Sequence, residues 1–253
     1  MNDGAYRCVA HLGVALTRAL DLRLDVAGQE HIPATGGGVV VMNHTGYLDF
    51  VLAGLPFWRE CGRLVRFMAK QDVFTSRLTG PLMRAMHHIP VDRAAGAASF
   101  RAAVEALRAG ELVGVFPEAT ISRSFCLKEF KSGATRMARS AGVPLIPVTL
   151  WGSQRLWTKG RKPSIGAARH VPICITIGAP LTPARGPAAD TALVDVMNHL
   201  LDATRARYPE APGDDPWWLP AHLGGTAPTP ARAAELDVQD QLERSQRGGH
   251  REA

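Results

Sequence analysis

A histidine and an aspartate five residues apart, His44 and Asp49, are well suited to acid–base chemistry. Gly46 lies between them. The apolar residues 39–42 before His44 predict a buried strand, and residues 47–55, which include Asp49, predict a helix ending near Pro56. In one helix or one strand the two side chains would point apart, but a turn between them lets imidazole and carboxylate meet. A carboxylate that holds one ring nitrogen makes the other nitrogen a better base.

The same spacing occurs again between His87 and Asp92. Residues 88–91 predict a strand between these two, so their side chains should diverge, and we interpret that pair as structural. Spacing alone leaves open that His44 and Asp49 lie on an ordinary surface turn. The choice between the two interpretations depends on what else the fold brings near them.

Three further polar residues follow predicted strands. Lys70 ends the strand at residues 64–69, Arg93 follows the strand at 88–91, and Glu118 follows the strand at 112–116. Strands alternating with helices predict an α/β fold, with a mostly parallel central sheet flanked by helices. Because ligands bind beyond the carboxyl ends of such strands, we expect these residues to share one site with His44.

The chain divides into three predicted regions. Residues 1–30 form an N-terminal amphipathic helical segment, residues 31–210 form the main domain, and residues 211–253 form a Pro/Gly-rich, largely disordered tail. The helix expected at residues 5–24 either packs on the core or lies on an anionic membrane surface. Within the tail, residues 216–220 contain two tryptophans and are expected to dock on the body or to touch a membrane.

The charge is unevenly distributed. The whole chain carries a formal net charge of +6, while residues 211–253 hold seven acidic and four basic residues, so the first 210 residues carry +9. A basic body suits anionic partners such as phosphorylated substrates, coenzyme A, anionic lipid or nucleic acid. The basic loop at residues 152–169, beside Trp151 and Trp157, is typical of a membrane interface or of a solvated loop. No nucleic-acid-binding module is recognisable, and the sequence does not determine an oligomeric state.

The cysteine pattern argues against metal and disulfide chemistry. The four cysteines are scattered without a CxxC pair, so we expect neither a zinc site nor a disulfide framework. No stretch offers about 20 consecutive apolar residues, so no membrane-spanning helix is expected.

Five segments in order resemble the glycerolipid acyltransferases, in particular the 1-acylglycerol-3-phosphate acyltransferase (PlsC-type) group. Residues 43–49 resemble the first motif of that family, residues 89–93 the second, residues 116–120 the third and residues 143–148 the fourth, while residues 130–134 resemble the segment that joins the last two. Ala119 stands where the third motif usually has glycine. If the backbone there has a positive φ, alanine costs roughly 1 kcal/mol.

The resemblance implies an enzyme of phospholipid biosynthesis. It would move a fatty acyl group from acyl-CoA or acyl-carrier protein to the free hydroxyl of 1-acylglycerol-3-phosphate, giving phosphatidic acid. The thioester is a co-substrate, and no bound cofactor is implied. His44 would be the general base, oriented by Asp49. We find no serine or cysteine placed as a nucleophile, so we predict direct attack by the acceptor hydroxyl.

The resemblance also assigns substrate-binding residues. Arg93, and more weakly Lys70, would hold the acceptor phosphate, because a guanidinium donates two parallel hydrogen bonds. Glu118 would bond the glycerol hydroxyls or brace its loop. Thr120 and Lys131 complete the candidate set. These residues could instead have no role in binding. Arg93 would then form an ion pair with the preceding aspartate, and Lys70 and Lys131 would be solvent-exposed surface residues.

The implied location is the cytoplasmic face of the cell membrane, as a peripheral protein that meets lysophospholipid and acyl thioester at an anionic surface. Two other functions remain open from the sequence. One keeps the chemistry and changes the acceptor to glycerol-3-phosphate, another lysophospholipid or a glycolipid. The other is a non-catalytic lipid-binding protein on the same scaffold.

Overall fold

The computed structural model of the 253-residue chain describes residues 3–92, 96–183 and 188–249. Its strands are β1 (Arg23–Ala27), β2 (Gly38–Met42), β3 (Val65–Lys70), β4 (Ile89–Val91), β5 (Leu112–Val115), β6 (Leu145–Trp151) and β7 (Pro172–Ile177). They form one sheet in the order β1-β7-β6-β2-β5-β3-β4, in which every neighbouring pair is parallel except β6 with β7. The predicted fold class, a mostly parallel sheet flanked by helices, is confirmed.

The helices lie on both faces of this sheet and beyond its ends. They are α1 (Gly4–Ala19), α2 (Asp49–Cys61), α3 (Gln71–Thr75), α4 (Gly80–Ala85), α5 (Gly96–Arg108), α6 (Gly133–Ala141), α7 (Ile165–Ala168), α8 (Ala188–Ala206) and α9 (Pro230–Gly249).

Strand β2 is the centre of the hydrophobic core, and all five of its residues are buried. Val40 and Met42 point to the face covered by α2, whereas Val39 and Val41 point to the face covered by α5, α6 and α8. Side chains alternate between the two faces of a strand, so a strand covered on both sides needs an unbroken apolar run. That burial fixes the strand end from which the histidine segment departs.

Helix α2 is longer than the sequence suggested. It continues through Pro56 and ends at Cys61, with Gly62 at a φ of 67° providing the left-handed cap. A proline within a helix removes one backbone hydrogen bond and costs about 3 kcal/mol. Pro56 and the following Phe57 are both buried against the core, and this packing outweighs that cost.

The N-terminal segment is only partly helical, which corrects the expected helix at residues 5–24. Helix α1 ends at Ala19, and residues 23–27 form β1, which pairs with β7 and so belongs to the sheet of the main domain. The physical reason is that Leu24 and Val26 alternate with more exposed residues and pack on the core as a half-buried strand. Leu12 and Leu16 of α1 face outward, with 68% and 49% exposure.

Up to residue 249, the last one described, the C-terminal region contains docked and helical segments, which corrects the expected largely disordered tail. Trp218 and Leu219 are buried in a cluster with Trp151, so residues 216–220 dock on the body, one of the two outcomes expected for them. Helix α9 follows at Pro230–Gly249. It was missed because it docks mainly through charged side chains, which leave no hydrophobic periodicity in the sequence.

Candidate active site

Five parallel strands end at the same edge of the sheet, in the spatial order β6, β2, β5, β3, β4. The segments that follow these ends carry the candidate site residues predicted from the sequence. Among the described residues, His44 follows β2, Glu118 follows β5 and Lys70 is the last residue of β3. Arg93 lies outside the described residues, but β4, the strand before it, ends at this edge beside β3.

The structure brings His44 and Asp49 together. Nδ1 of His44 lies 3.0 Å from Oδ2 of Asp49, across a turn formed by residues 43–49, called here the histidine turn. Asp49 is fully buried at the start of α2, and His44 keeps 19% side-chain exposure. Because a carboxylate oxygen can only accept, Nδ1 donates this bond and Nε2 is left with its lone pair. The geometry is that of an oriented base.

The same carboxylate oxygen also holds the backbone of the turn. Oδ2 of Asp49 accepts hydrogen bonds from the backbone N–H groups of Thr45, at 2.7 Å, and Gly46, at 2.8 Å. Asp49 also lies in the first turn of α2, where the helix dipole favours a negative charge. Its ionised form is therefore bound by three donors and a helix terminus, which suits a residue that keeps a neighbouring imidazole in one tautomer.

The side chain of Asn43 anchors the histidine turn to β6 by hydrogen bonds like those between two strands. The side-chain amide of Asn43 donates to the carbonyl oxygen of Leu150 at 3.0 Å and accepts from its N–H at 2.8 Å. This pair of bonds extends the ladder between β2 and β6 by one position. The role of Asn43 was missed from the sequence, where it was seen only as part of the motif.

Residues after β6 close over the far side of the turn. The hydroxyl of Thr158 donates to the carbonyl oxygen of Thr45 at 2.6 Å, and the N–H of Tyr47 donates to that of Trp157 at 3.0 Å. A Cβ atom at Gly46 would lie 3.0 Å from the backbone oxygens of both Ser153 and Trp157, so only glycine fits without displacement. The turn is therefore held on this side by two hydrogen bonds and by close packing at Gly46.

Glu118 braces the backbone of the site from beneath. The side chain is 4% exposed; Oε1 accepts the N–H of His44 at 2.8 Å and Oε2 accepts the N–H of Lys128 at 3.2 Å. Burial raises the pKa of Glu118 to about 8, against the opposing effect of these two backbone donors. Of the two roles considered from the sequence, loop bracing is the one that the described contacts display.

The imidazole of His44 also rests on an aromatic ring. The ring of Phe116 stacks on it with a centroid separation of 4.0 Å and an interplanar angle of 20°. This contact, together with the bond to Asp49, restricts the ring to one orientation. Phe116 is the first residue of the third motif, and its packing role was not identified from the sequence.

Ala119 departs from the family pattern at a position where the departure has a structural cost. Its φ is +59°, in the left-handed region that glycine adopts easily. A non-glycine residue there is strained by about 1 kcal/mol, which is the cost expected from the sequence in the case of a positive φ.

The remaining candidates lie at the periphery of the site. Lys70 is exposed and pairs with Asp72, Lys131 is exposed on the segment before α6, and Thr120 is half-buried next to Ala119. A cleft of about 940 Å³ opens beside β4, between α3 and α4. Gln71, which follows Lys70, and Arg77 are among its lining residues. Nothing in these contacts assigns the three side chains a substrate.

A cluster of cations near the histidine turn was not foreseen. It consists of Arg123, Lys128 and Lys159 and is named here the cationic cluster. Asp237 and Asp240 of α9 cover it through five ion-pair contacts. The signal in the sequence was the opposite charge of body and tail, which was noted but not connected to a contact between them.

The basic loop after β6 is therefore partly engaged inside the molecule. Arg155 pairs with Glu210, and Arg161 stacks over Trp217 at 4.1 Å from the ring centroid. Trp157 remains 40% exposed beside Tyr47. Of the expected interfacial patch, Trp157, Arg161, Lys162 and Arg169 are exposed, whereas Trp151 is buried.

Comparison with known proteins identifies the family to which the chain belongs. The model of a protein family described as Acyltransferase matches residues 23–151, about half of the chain. The chain belongs to the acyltransferase family. It is therefore an enzyme, and the family match contains the histidine turn, Glu118 and the cation Lys128.

Individual relatives of this acyltransferase agree with that assignment. It is 32% identical over 166 residues to the 1-acyl-sn-glycerol-3-phosphate acyltransferase of Bacillus subtilis, covering 62% of this chain and 79% of the relative. It is 28% identical over 186 residues to the chloroplastic 1-acyl-sn-glycerol-3-phosphate acyltransferase BAT2 of Brassica napus, covering 72% of this chain and 51% of that protein. The crystal structure of the 1-acyl-sn-glycerophosphate acyltransferase PlsC from Thermotoga maritima matches with a TM-score of 0.63 and 25% identity, over 79% and 80% of the two chains.

No helix in the described part of the acyltransferase is long and apolar enough to cross a membrane. Within the same ranges, no group of three or more histidine, cysteine or acidic residues is arranged to hold a metal ion.

Proposed function

We propose that this acyltransferase moves a fatty acyl group from acyl-CoA or acyl-carrier protein to the free hydroxyl of 1-acylglycerol-3-phosphate, giving phosphatidic acid. The observation that carries the proposal is the contact between His44 and Asp49 at the strand edge, inside a family match. The relatives from Bacillus subtilis and Brassica napus, both named for this acceptor, support the choice of substrate.

The proposed chemistry is direct transfer with His44 as the general base. Nε2 takes the proton of the acceptor hydroxyl as its oxygen attacks the thioester carbonyl carbon. The C–O bond forms, the C–S bond breaks, and the departing thiolate receives the proton from the imidazolium. Asp49 keeps Nδ1 protonated and stabilises the transient positive charge on the ring. The thioester is consumed as a co-substrate, and the step uses no resident cofactor.

The acceptor phosphate belongs on the β3–β4 side of His44 in this proposal. Strands in a sheet are about 4.8 Å apart, so the end of β3 lies about 10 Å from the end of β2. That distance suits a glycerol phosphate whose hydroxyl reaches His44. Lys70 at the end of β3 and Arg93 after β4 are the proposed anchors, and Thr120 and Lys131 are proposed secondary contacts.

The proposed location is the cytoplasmic face of the cell membrane, where a peripheral enzyme meets its lipid substrate. Helix α1 supports this, because Leu12 and Leu16 face outward while Arg7 and Arg18 lie on the same helix. Apolar side chains flanked by cations are the pattern of a helix that rests on an anionic surface.

The test is product analysis with the purified protein. Acyl-CoA is offered with lysophosphatidate, glycerol-3-phosphate or lysophosphatidylcholine, and products are identified by mass spectrometry. We expect phosphatidate from the first acceptor and a much lower rate with the other two. Acylation of glycerol-3-phosphate or lysophosphatidylcholine in preference to lysophosphatidate would contradict the proposed acceptor.

A further inference from the structure

The cationic cluster is covered by two carboxylates of the same chain. Asp237 accepts from Nζ of Lys128 at 2.7 Å and from Nζ of Lys159 at 2.5 Å, while Asp240 accepts from Arg123 at 2.6 Å. The three cations come from two loops, and α9 reaches them from outside the region matched by the family model. Three positive charges converge on a spot that now holds two carboxylates.

Each member of the cluster is tied to the histidine turn through the backbone. Lys128 donates its N–H to Glu118, the residue that also holds the N–H of His44. Arg123 follows Ser122, whose N–H donates to the carbonyl oxygen of His44 at 2.7 Å. These two cations therefore lie on a loop that is hydrogen-bonded to the histidine turn, directly through Ser122 and indirectly through Glu118.

The third cation is connected in the same way. Lys159 follows Thr158, which donates its hydroxyl to the carbonyl oxygen of Thr45. All three cations therefore lie in the loops after β5 and β6, which hydrogen-bond to the histidine turn.

Helix α9 is held on the cluster mainly by charge. Of its apolar residues, Ala233 is buried and Leu236 is half-buried, whereas Val238 and Leu242 are 55% and 57% exposed. Burial raises the pKa of the Asp237 carboxyl, but hydrogen bonds from Lys128 and Lys159 outweigh it and hold the pKa below its usual range. A helix with so little buried apolar area is displaceable by a competing anion.

The position of the cluster indicates which anion would compete. The proposed acceptor anchors are Lys70, the last residue of β3, and Arg93, which comes after β4 in the chain. Within the cluster, Lys159 follows β6, on the side of β2 away from β3, whereas Arg123 and Lys128 follow β5, which lies between β2 and β3. Direct transfer needs the acceptor hydroxyl and the thioester carbonyl to meet at His44, with their phosphate ends extending apart. The proposed acceptor site uses the ends of β3 and β4, which leaves the cluster on the loops after β5 and β6, the strands that flank β2, for the donor.

We propose that Arg123, Lys128 and Lys159 bind the phosphate groups of the acyl thioester donor, and that α9 occupies this site when donor is absent. Asp237 and Asp240 then stand where donor phosphates bind, and donor binding displaces the helix. The inference rests on the proposed function, since it assumes a phosphate-bearing thioester as the donor. Guanidinium and ammonium groups are well matched to phosphate oxygens.

The test is the binding of free CoA to the full-length protein, measured by calorimetry. Asp237→Asn removes one negative charge from the inner face of α9, and Glu235→Gln, the matched control, removes one from its exposed face. A site that is uncovered only a tenth of the time binds about tenfold more weakly than an open one. We expect Asp237→Asn to tighten CoA binding by up to about tenfold and Glu235→Gln to leave it unchanged.

Two further arms identify the ligand. Pantetheine, which lacks phosphate, should bind equally to the wild type and to Asp237→Asn. Adding Lys159→Met to Asp237→Asn should reverse the gain in CoA affinity. Unchanged or weaker CoA binding in Asp237→Asn would overturn the proposal and make α9 a structural clamp. If Asp237→Asn bound lysophosphatidate more tightly and CoA no more tightly than the wild type, the cluster would be a binding site for the acceptor and the proposal would be wrong.

Hydrogen exchange gives an independent readout that needs no variant. CoA should accelerate amide exchange in α9 while leaving α8 unchanged, because only the covering helix is released. Slower exchange in α9 on adding CoA would contradict displacement. These measurements require no turnover, so a protein that binds CoA in this way but makes no phosphatidate would refute the proposed acceptor and leave the donor site standing.

Discussion

Oδ2 of Asp49 accepts three hydrogen bonds at once, from Nδ1 of His44 at 3.0 Å and from the backbone N–H groups of Thr45 and Gly46. A single oxygen therefore orients the proposed base and shapes the turn that carries it. Because one oxygen makes all three bonds, the spacing of five residues and the glycine between His44 and Asp49 are both needed for this turn. It also separates what an exchange of Asp49 should do from what an exchange of a surface aspartate should do.

Asp49→Asn should lower kcat for acyl transfer by about 10²-fold or more, because the amide cannot hold Nδ1 protonated and accept from both backbone donors. The KM for the acceptor should change little, since Asp49 is buried and binds no substrate phosphate in the proposal. Steady-state kinetics with varied lysophosphatidate measures both. Asp195→Asn, on the exposed side of α8, is the matched control. A rise in KM with kcat preserved would contradict an orienting role.

Ala119→Gly should stabilise the protein. The φ of +59° at Ala119 costs alanine about 1 kcal/mol, while the greater freedom of glycine in the unfolded chain offsets about 0.4 to 1 kcal/mol. The net gain in the free energy of unfolding should be up to about 0.6 kcal/mol, measured by urea denaturation. Ala102→Gly, within α5, should instead lose about 1 kcal/mol. A loss of stability in Ala119→Gly as large as in Ala102→Gly would show that the position is not strained.

His88 should make the protein sensitive to acid. Burial, with smaller effects of Arg66 and His87, lowers the pKa of His88 to about 3, and its Nδ1 accepts the N–H of Phe67 at 3.1 Å. The unfolded chain binds the proton more readily, so this contribution to stability is present above pH 6.5 and is lost as the pH falls toward 3. By pH 4.5 the loss amounts to about 2 to 3 kcal/mol.

The comparison that isolates this effect is urea denaturation of wild type and His88→Asn at pH 7 and at pH 4.5. Asparagine keeps an acceptor for the N–H of Phe67 but does not titrate, so its stability should fall less over this range. The exposed His199→Asn is the control and should follow the wild type. Parallel losses in wild type and His88→Asn would place the acid sensitivity elsewhere.

The sequence predicted those parts of the fold that depend on local pattern. The apolar run before Asn43 has to be a strand covered on both faces, and Gly46 has to bend the chain after it, so the meeting of His44 and Asp49 could be expected. Helix α9 could not be predicted in this way, because its inner face is formed by Ala233, Asp237 and Asp240. Those carboxylates find their partners in loops far away in the chain, and no local period records such contacts.

Two other features depended on tertiary packing. The helix α2 passes through Pro56 because Phe57 beyond it is buried in the core, a gain that local propensity does not contain. Glu118 was expected near the site. Whether its carboxylate binds substrate hydroxyls or backbone depends on where the N–H groups of His44 and Lys128 point. Both outcomes follow from contacts between segments that are distant in the sequence, and these contacts are seen only in the folded chain.

The rate of acyl transfer by His44→Ala, set against that of His87→Ala, tests the central claim most directly. Both variants remove the histidine of a pair with the same spacing to an aspartate, but only His44 lies at the strand edge against a buried carboxylate. The account predicts a loss of about 10²- to 10⁴-fold in kcat for His44→Ala and near wild-type kcat for His87→Ala. Equal activities of the two variants, with both folded, would contradict it.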